Sequence, residues 1–179
     1  MNPVDKIRDQ HRNTQLQQLL VKSHRSRIMH LYDIRSMGII TLASTKEEKE
    51  ILSLFLKHMT QNGSTVRVIE MPANIEQILD KYGLPKQDLI KNFTSYHYDL
   101  LIDATPTDNI FGLYVTLSSS SYLRVAYQDI TLPTQDITVA AYDLIIRGNG
   151  PMVLSSYLTD LLDILMKIRK KNVGTPLKQ

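Results

Sequence analysis

Two stretches of the chain consist of aliphatic residues that do not alternate with polar ones. They are Tyr98-Asp99-Leu100-Leu101-Ile102-Asp103 and Tyr142-Asp143-Leu144-Ile145-Ile146-Arg147. A strand with one face in water alternates apolar and polar positions, so an unbroken aliphatic run indicates a strand buried on both faces, as in a parallel sheet. The shared Tyr-Asp start predicts two equivalent strands of one sheet rather than a repeat architecture.

Three further segments have the length and composition of strands. The segments between the strands have apolar residues at helical spacing. The predicted strands are 37–43, 65–70, 98–103, 122–127 and 142–147, and the predicted helices are 3–25, 45–62, 73–82, 86–93, 109–117 and 151–171. Strands that alternate with helices predict an α/β fold, with three layers and right-handed crossovers. We therefore predict an α/β/α domain with a mostly parallel, five-stranded sheet, Rossmann-like or flavodoxin-like, in the order 2-1-3-4-5.

Two local patterns refine this prediction. Thr45 and Glu48 have the spacing of a capping box at the start of the helix that follows the first strand. Gly112 lies inside the strongly apolar segment 109–117, where a missing side chain would allow the helix to approach the sheet closely.

Charge is distributed unevenly along the chain. Residues 1–30 carry six basic and two acidic residues, and residues 167–179 carry five basic residues and no acidic one, although the net charge is only +3. We divide the chain into a basic N-terminal helical extension (1–30), a single α/β domain (31–171) and a flexible tail (172–179). The thin apolar stripe of the first helix predicts that it packs on the domain or forms a homodimer with a second copy.

Composition excludes several classes of protein. The chain has no cysteine, which excludes disulfides and thiolate metal sites and is compatible with a reducing cytoplasm, where we expect the protein. No apolar run reaches the roughly 20 residues of a transmembrane segment, and the N-terminus lacks the apolar core of a secretory signal. There is no P-loop, no Gly-rich dinucleotide turn and no clustering of the five histidines, so we expect no cofactor and no metal.

Candidate ligand-binding residues fall at the carboxyl edge of the predicted sheet, where open α/β sheets bind ligands. The candidates are Ser44, Thr45, Asp103, Thr105, Arg147, Gly148, Asn149 and Gly150. These residues also have structural interpretations: Asp103 as a turn aspartate, Ser44 and Thr45 as a helix cap, and residues 148–150 as a glycine turn. If the ligand carries phosphate, we expect it near Arg147 and the following amides, at the start of the last helix. Without a ligand, the same arrangement predicts an Asp103–Arg147 ion pair.

Three interpretations of function follow. The one we adopt is a non-catalytic α/β module that binds a protein partner or a small ligand. The second is a nucleotide- or phosphate-binding enzyme domain that acts at the carboxyl edge. The third is a binder of RNA or acidic lipid through the basic ends; because these ends lack interleaved aromatic residues, nucleic acid is not favoured.

Three segments carry a resemblance to known proteins, namely Arg25-Ser26-Arg27, Met37-Gly38-Ile39-Ile40 and Tyr98-Asp99-Leu100-Leu101-Ile102-Asp103. Together they resemble an uncharacterised bacterial α/β family, a domain of unknown function. The last segment also resembles the N-terminal half-domain of heptosyltransferase-type glycosyltransferases. Those enzymes use a second Rossmann-like domain to bind the nucleotide sugar, and this chain is too short to contain one. The resemblance therefore implies descent from such a half-domain rather than glycosyl transfer by this chain alone.

Overall fold

The computed structural model describes residues 3–21, 26–42, 45–72, 74–107, 109–132, 137 and 140–168. Helices and strands alternate along most of this length. The elements are α1 (Pro3–Val21), β1 (Ser36–Leu42), α2 (Lys46–Gln61), β2 (Thr65–Met71), α3 (Gln87–Thr94), β3 (His97–Ala104), α4 (Ile110–Ser118), β4 (Ser120–Asp129), β5 (Leu144–Gly148) and α5 (Leu154–Lys167), with short 3-10 helices at Leu31–Asp33 and Ile75–Ile78.

Within the described residues, five strands form one sheet in the order β2-β1-β3-β4-β5. Every pairing between neighbouring strands is parallel. The predicted fold class and strand order are therefore confirmed. The chain leaves β1 toward one side of the sheet and leaves β3 toward the other, so the topological switch point lies between these two strands.

Helices cover both faces of the sheet, and each interface has its own apolar core. On one face, α2 and α5 contribute residues such as Phe55, Met59 and Leu161 to the core. On the other face, α1, α3 and α4 contribute Leu16, Phe93 and other buried residues. The strands supply alternate side chains to the two cores, which is why their sequences read as continuous apolar runs.

The N-terminal helix packs on the body of the domain, as its thin apolar stripe predicts. Leu16 is only 1% exposed and belongs to the same core as α4. His11 stacks on Tyr82 with 3.7 Å between ring centroids, and the Arg8 side chain donates to the Lys81 carbonyl oxygen at 3.0 Å. α1 thus shares a core with the domain. The homodimer stays a prediction, and the basic residues of 169–179 lie outside the described residues.

The two Tyr-Asp patterns are equivalent in the bonds that their aspartates make. The Asp99 carboxylate accepts hydrogen bonds from the backbone amides of Arg35 and Ser36, at 2.8 and 2.9 Å. The Asp143 carboxylate accepts from the amide of Arg124 at 2.7 Å. Each aspartate therefore ties its own segment to a neighbouring strand, although β5 itself begins only at Leu144.

Several predicted elements differ from the structure; among the strands, β4 begins two residues earlier than predicted and β5 two residues later. Among residues 74–82, only Ile75–Ile78 is helical, as a 3-10 helix. The Asp80 side chain accepts from the amides of Tyr82 and Leu84, and the chain turns at Gly83, which has a φ of 78°. β4 runs two residues further than predicted, to Asp129. The last helix begins at Leu154 rather than at 151. The longer β4 and the later start of the last helix both alter the carboxyl edge of the sheet.

None of the helices in the described ranges is long and apolar enough to cross a membrane.

Candidate ligand-binding site

A cavity of about 320 Å³ lies at the carboxyl edge of the sheet. Thr41 and Leu42 line it from the end of β1, Ala104 from the end of β3 and Asp129 from the end of β4. Because the connections that follow β1 and β3 lead to opposite faces of the sheet, they separate and leave a crevice between them. The cavity occupies this crevice.

The start of α2 forms one wall of the cavity and has the predicted capping box. The Thr45 amide donates to the Glu48 carboxylate at 2.9 Å, and the Glu48 amide donates to the Thr45 hydroxyl at 3.3 Å. Both residues line the cavity. The Thr45 and Glu48 amides, two of the groups that could hold an anion at this helix start, are therefore already bonded within the protein.

Asp129 supplies a carboxylate to the cavity. The residue is 4% exposed, and one of its oxygens accepts from the Thr131 hydroxyl at 2.6 Å and from the Thr131 amide at 2.9 Å. These two bonds, in that order, lower the pKa of Asp129, and the Gly150 backbone contributes to the same direction; partial desolvation opposes them without reversing the shift. Asp129 therefore presents a stable negative charge to the cavity at neutral pH.

Asp103 makes the same local bonds in a different environment. Its carboxylate accepts from the Thr105 amide at 3.0 Å, from the Thr105 hydroxyl at 2.6 Å and from the Tyr142 hydroxyl at 2.5 Å. It is 4% exposed and lies against Gly112 of α4, on the sheet face away from Ala104. Burial raises the pKa of Asp103, and the hydrogen bonds from Thr105 and Tyr142 offset only part of this effect. The turn-aspartate interpretation is thus confirmed.

The predicted Asp103–Arg147 ion pair is wrong. Arg147 is exposed on β5 opposite Gln128, whereas Asp103 on β3 lies opposite Ala126. β4 separates the two strands, and Asp103 is directed under α4, where Thr105 and Tyr142 satisfy it. Among the described residues, Asp103 forms no ion pair with any basic side chain.

The glycine loop does not form the start of the last helix, contrary to prediction. Gly148 is the last residue of β5, and residues 151–153 separate Gly150 from α5. The Tyr127 hydroxyl occupies the space where a side chain on Gly148 would stand, and it donates to the Gly150 carbonyl oxygen at 2.8 Å. These glycines therefore accommodate a tyrosine, and the predicted combination of Arg147 with helix amides does not arise.

One protein family matches most of the length of the chain. The family described as "Family of unknown function (DUF6913)" matches residues 6–146. The chain belongs to this family. No curated protein and no solved structure matches the chain. Membership confirms the resemblance to an uncharacterised domain family, whereas the resemblance to the heptosyltransferase half-domain and the bacterial origin stay predictions.

The DUF6913 match runs from α1 into β5, so it includes the polar residues of the cavity and excludes the segment before α5. Of the eight predicted ligand-binding residues, Thr45 lines the cavity and Ser44 lies outside the described residues. Asp103 and Thr105 are buried beneath α4. Arg147, which is exposed, and Gly148 are the last two residues of β5, Asn149 and Gly150 follow it, and none of the four lines the cavity.

Sequence reasoning missed Asp129, although the chain contains a signal for it. Asp103-Ala104-Thr105 and Asp129-Ile130-Thr131 share the pattern Asp-x-Thr, and both place the threonine amide and hydroxyl on one carboxylate oxygen. The pattern also occurs at Asp136-Ile137-Thr138, so the copy at Asp129 identifies a strand end only together with the predicted strand 122–127 that precedes it. In the described part of the DUF6913 chain, no group of three histidines, cysteines or carboxylates is arranged to hold a metal ion.

Proposed function

We propose that this domain is a non-catalytic module that binds a small ligand in the cavity between the ends of β1 and β3. The observation that carries the proposal is the cavity itself, about 320 Å³ at the topological switch point. Small-molecule sites in proteins span about 300 to 1,000 Å³ and occur preferentially at this position in α/β sheets. The size suits a single compact ligand.

The composition of the walls supports binding. Leu42, Pro106, Leu132, Met152 and Leu154 provide apolar surface. The threonines 41, 45 and 107 and the carboxylates of residues 48 and 129 provide a few polar groups. A mainly apolar cleft with a small number of placed polar groups is typical of a ligand site.

The absence of a catalytic constellation supports a binding role. Within the described residues, the cavity is lined by no histidine, lysine or arginine that could activate one of its threonine hydroxyls. Asp129 is held by Thr131, and Glu48 is held by Thr45. A nucleophile paired with a base is the usual requirement for covalent catalysis, and these residues do not supply one.

Two other hypotheses concern the N-terminal helix. A homodimer is supported by Val4 and Ile7, which are 61% and 64% exposed on α1 beside Tyr82. The binding of RNA or acidic lipid through the basic ends stays a prediction; on α1, Arg8 bonds to the Lys81 carbonyl and Arg12 pairs with Asp9 at 2.7 Å. We place the protein in the bacterial cytoplasm on the basis of its lack of cysteine and the sequence resemblance.

A screen of chemically diverse fragments, followed by amide chemical shifts in two-dimensional NMR, tests the proposal. We expect at least one fragment to shift the amides of Thr41, Thr107 and Asp129 together, since these residues line the cavity from three different segments. Shifts confined to α1, or no saturable shifts at all, would overturn the proposal.

A further inference from the structure

The charged residues that line the cavity all have the same sign. Asp129 and Glu48 line it, and no basic residue does so among the described residues. The sequence positions 43–44, 108 and 133–136, which adjoin the lining segments in the chain, also include no lysine, arginine or histidine. A phosphate in this cavity would therefore meet two carboxylates, whereas Lys46 and Lys49, next to the lining residues Thr45 and Glu48, do not line it. Repulsion between like charges disfavours the binding of such an anion.

Two backbone amides near the cavity are already bonded to the protein's own carboxylates. The Thr45 amide donates to Glu48 at the start of α2, and the Thr131 amide donates to Asp129 at the end of β4. These two amides are therefore not available to a phosphate. Only α5 begins without a side-chain cap among the helices that line the cavity, and its first amides suit a neutral oxygen acceptor as well as a charged one.

The remaining polar groups suit hydroxyls. The Asp129 carboxylate accepts hydrogen bonds, and the Thr107 hydroxyl, which accepts from the Asp129 amide at 3.1 Å, keeps its own proton to donate. A ligand hydroxyl both donates and accepts, so it satisfies the carboxylate and the threonine at once. Leu42, Met152 and Leu154 provide an apolar surface for the flat side of a ring.

We infer that the ligand is an uncharged compound that carries hydroxyl groups next to a flat ring whose face packs on apolar side chains, of the nucleoside class, and that Asp129 excludes its phosphorylated forms. This inference rests on the proposed small-ligand function. It makes Asp129 the residue that determines specificity, and it reverses the expectation from the sequence that a phosphate binds at this edge.

The test compares unphosphorylated nucleosides with their 5′-monophosphates, which differ by the phosphate alone. Titrations followed by NMR shifts at Thr41 and Asp129 should show at least one nucleoside binding about tenfold or more tightly than its monophosphate. In Asp129→Asn, whose amide oxygen can still accept from Thr131, this preference should fall about tenfold. Asp163→Asn removes the same charge at an exposed position of α5 outside the cavity, and it should keep the preference of the natural protein.

The outcomes separate the two proposals. If a monophosphate binds as tightly as its nucleoside, or if no nucleoside binds while another fragment does, the ligand class is wrong and the binding function stands. If no compound shifts the cavity amides, both are wrong. If the preference for the nucleoside over its monophosphate is unchanged in Asp129→Asn, Asp129 does not determine this specificity. Because the matched pairs are compared first in the natural protein, a poorly folded variant does not prevent a decision.

Discussion

The carboxylate of Asp103 lies against the backbone of Gly112, so closely that a β-carbon on Gly112 would stand 2.5 Å from each carboxylate oxygen. This contact joins the end of β3 to the first turns of α4. It requires a glycine in a helix that is otherwise packed with large apolar side chains. Glycine is therefore needed at position 112 for steric fit with the carboxylate, because glycine by itself does not stabilise a helix.

Gly112→Ala should destabilise the domain by about 1 to 3 kcal/mol, because the added methyl group overpacks the Thr105 hydroxyl and the Asp103 carboxylate. Alanine is better than glycine in a helix by about 1 kcal/mol, so a loss of stability shows that the contact outweighs helix propensity. Urea unfolding measures the change. In a double-mutant cycle with Asp103→Ala, the combined loss should be smaller than the sum of the single losses. Strict additivity would contradict the contact.

Asp103→Asn should alter how stability depends on pH. Burial raises the pKa of Asp103 in the folded protein above its value in the unfolded chain. The folded state therefore keeps a proton that the unfolded state releases, and the stabilisation present at low pH is lost as pH rises through the folded-state pKa. The free energy of unfolding of Asp103→Asn relative to the natural protein should increase between about pH 4 and about pH 8.

The exposed residue Asp163 provides the control for this measurement, since Asp163→Asn is the same substitution on the surface of α5. Tyr142 is the titratable side chain that bonds to Asp103, and burial raises its pKa well above the ordinary value, so its hydroxyl stays protonated across this range. A pH-independent difference between Asp103→Asn and the natural protein would show that Asp103 is not buried as described.

Asp129→Asn should show the opposite sign. Hydrogen bonds from Thr131 lower the pKa of Asp129, so its ionised form adds stability above the unfolded-state pKa, and this stability is lost as pH falls through the folded-state value. Urea unfolding at about pH 7 and about pH 3 should find the natural protein losing stability relative to the variant at the lower pH. A loss of equal size for both proteins would count against the Thr131 bonds.

Leu16→Ala tests whether α1 belongs to the body of the domain. Leu16 is 1% exposed, so its truncation should cost about 2 to 5 kcal/mol. Ile7→Ala, on the same helix at 64% exposure, should change stability by about 0.5 kcal/mol or less. Thermal or urea unfolding of the two variants makes the comparison. Equal, small effects would mean that α1 does not pack on α4.

The sheet could be predicted from the chain because its evidence is local. The unbroken aliphatic run of β3 requires burial on both faces, and the capping box at Thr45 marks the start of α2. These features depend on periodicity and short-range bonds, which a single sequence shows directly. The order of the strands does not follow from such local evidence, although 2-1-3-4-5 is a common order of doubly wound sheets.

The site could be predicted only in part, because it depends on which face each side chain takes. Asp103 ends a strand at the expected edge, but Gly112 leaves room for its carboxylate beneath α4. Asp129 follows the polar residue Gln128, so the sequence pattern predicts a strand that ends before Asp129, whereas β4 includes it. Pro151 suggested a helix start, whereas α5 begins three residues later at Leu154. Packing between distant segments decided all three cases.

Filling the cavity tests the central claim most directly. Met152 lines the cavity and is partly exposed, so Met152→Trp places a larger ring in it, whereas Met166→Trp makes the same change at an exposed position of α5. The measurement is NMR titration of the natural protein and both variants with the fragments that shift the amides of Thr41, Thr107 and Asp129. We predict that these shifts persist in Met166→Trp and disappear in Met152→Trp. Fragments that bind Met152→Trp as they bind the natural protein would contradict a ligand site at the switch point.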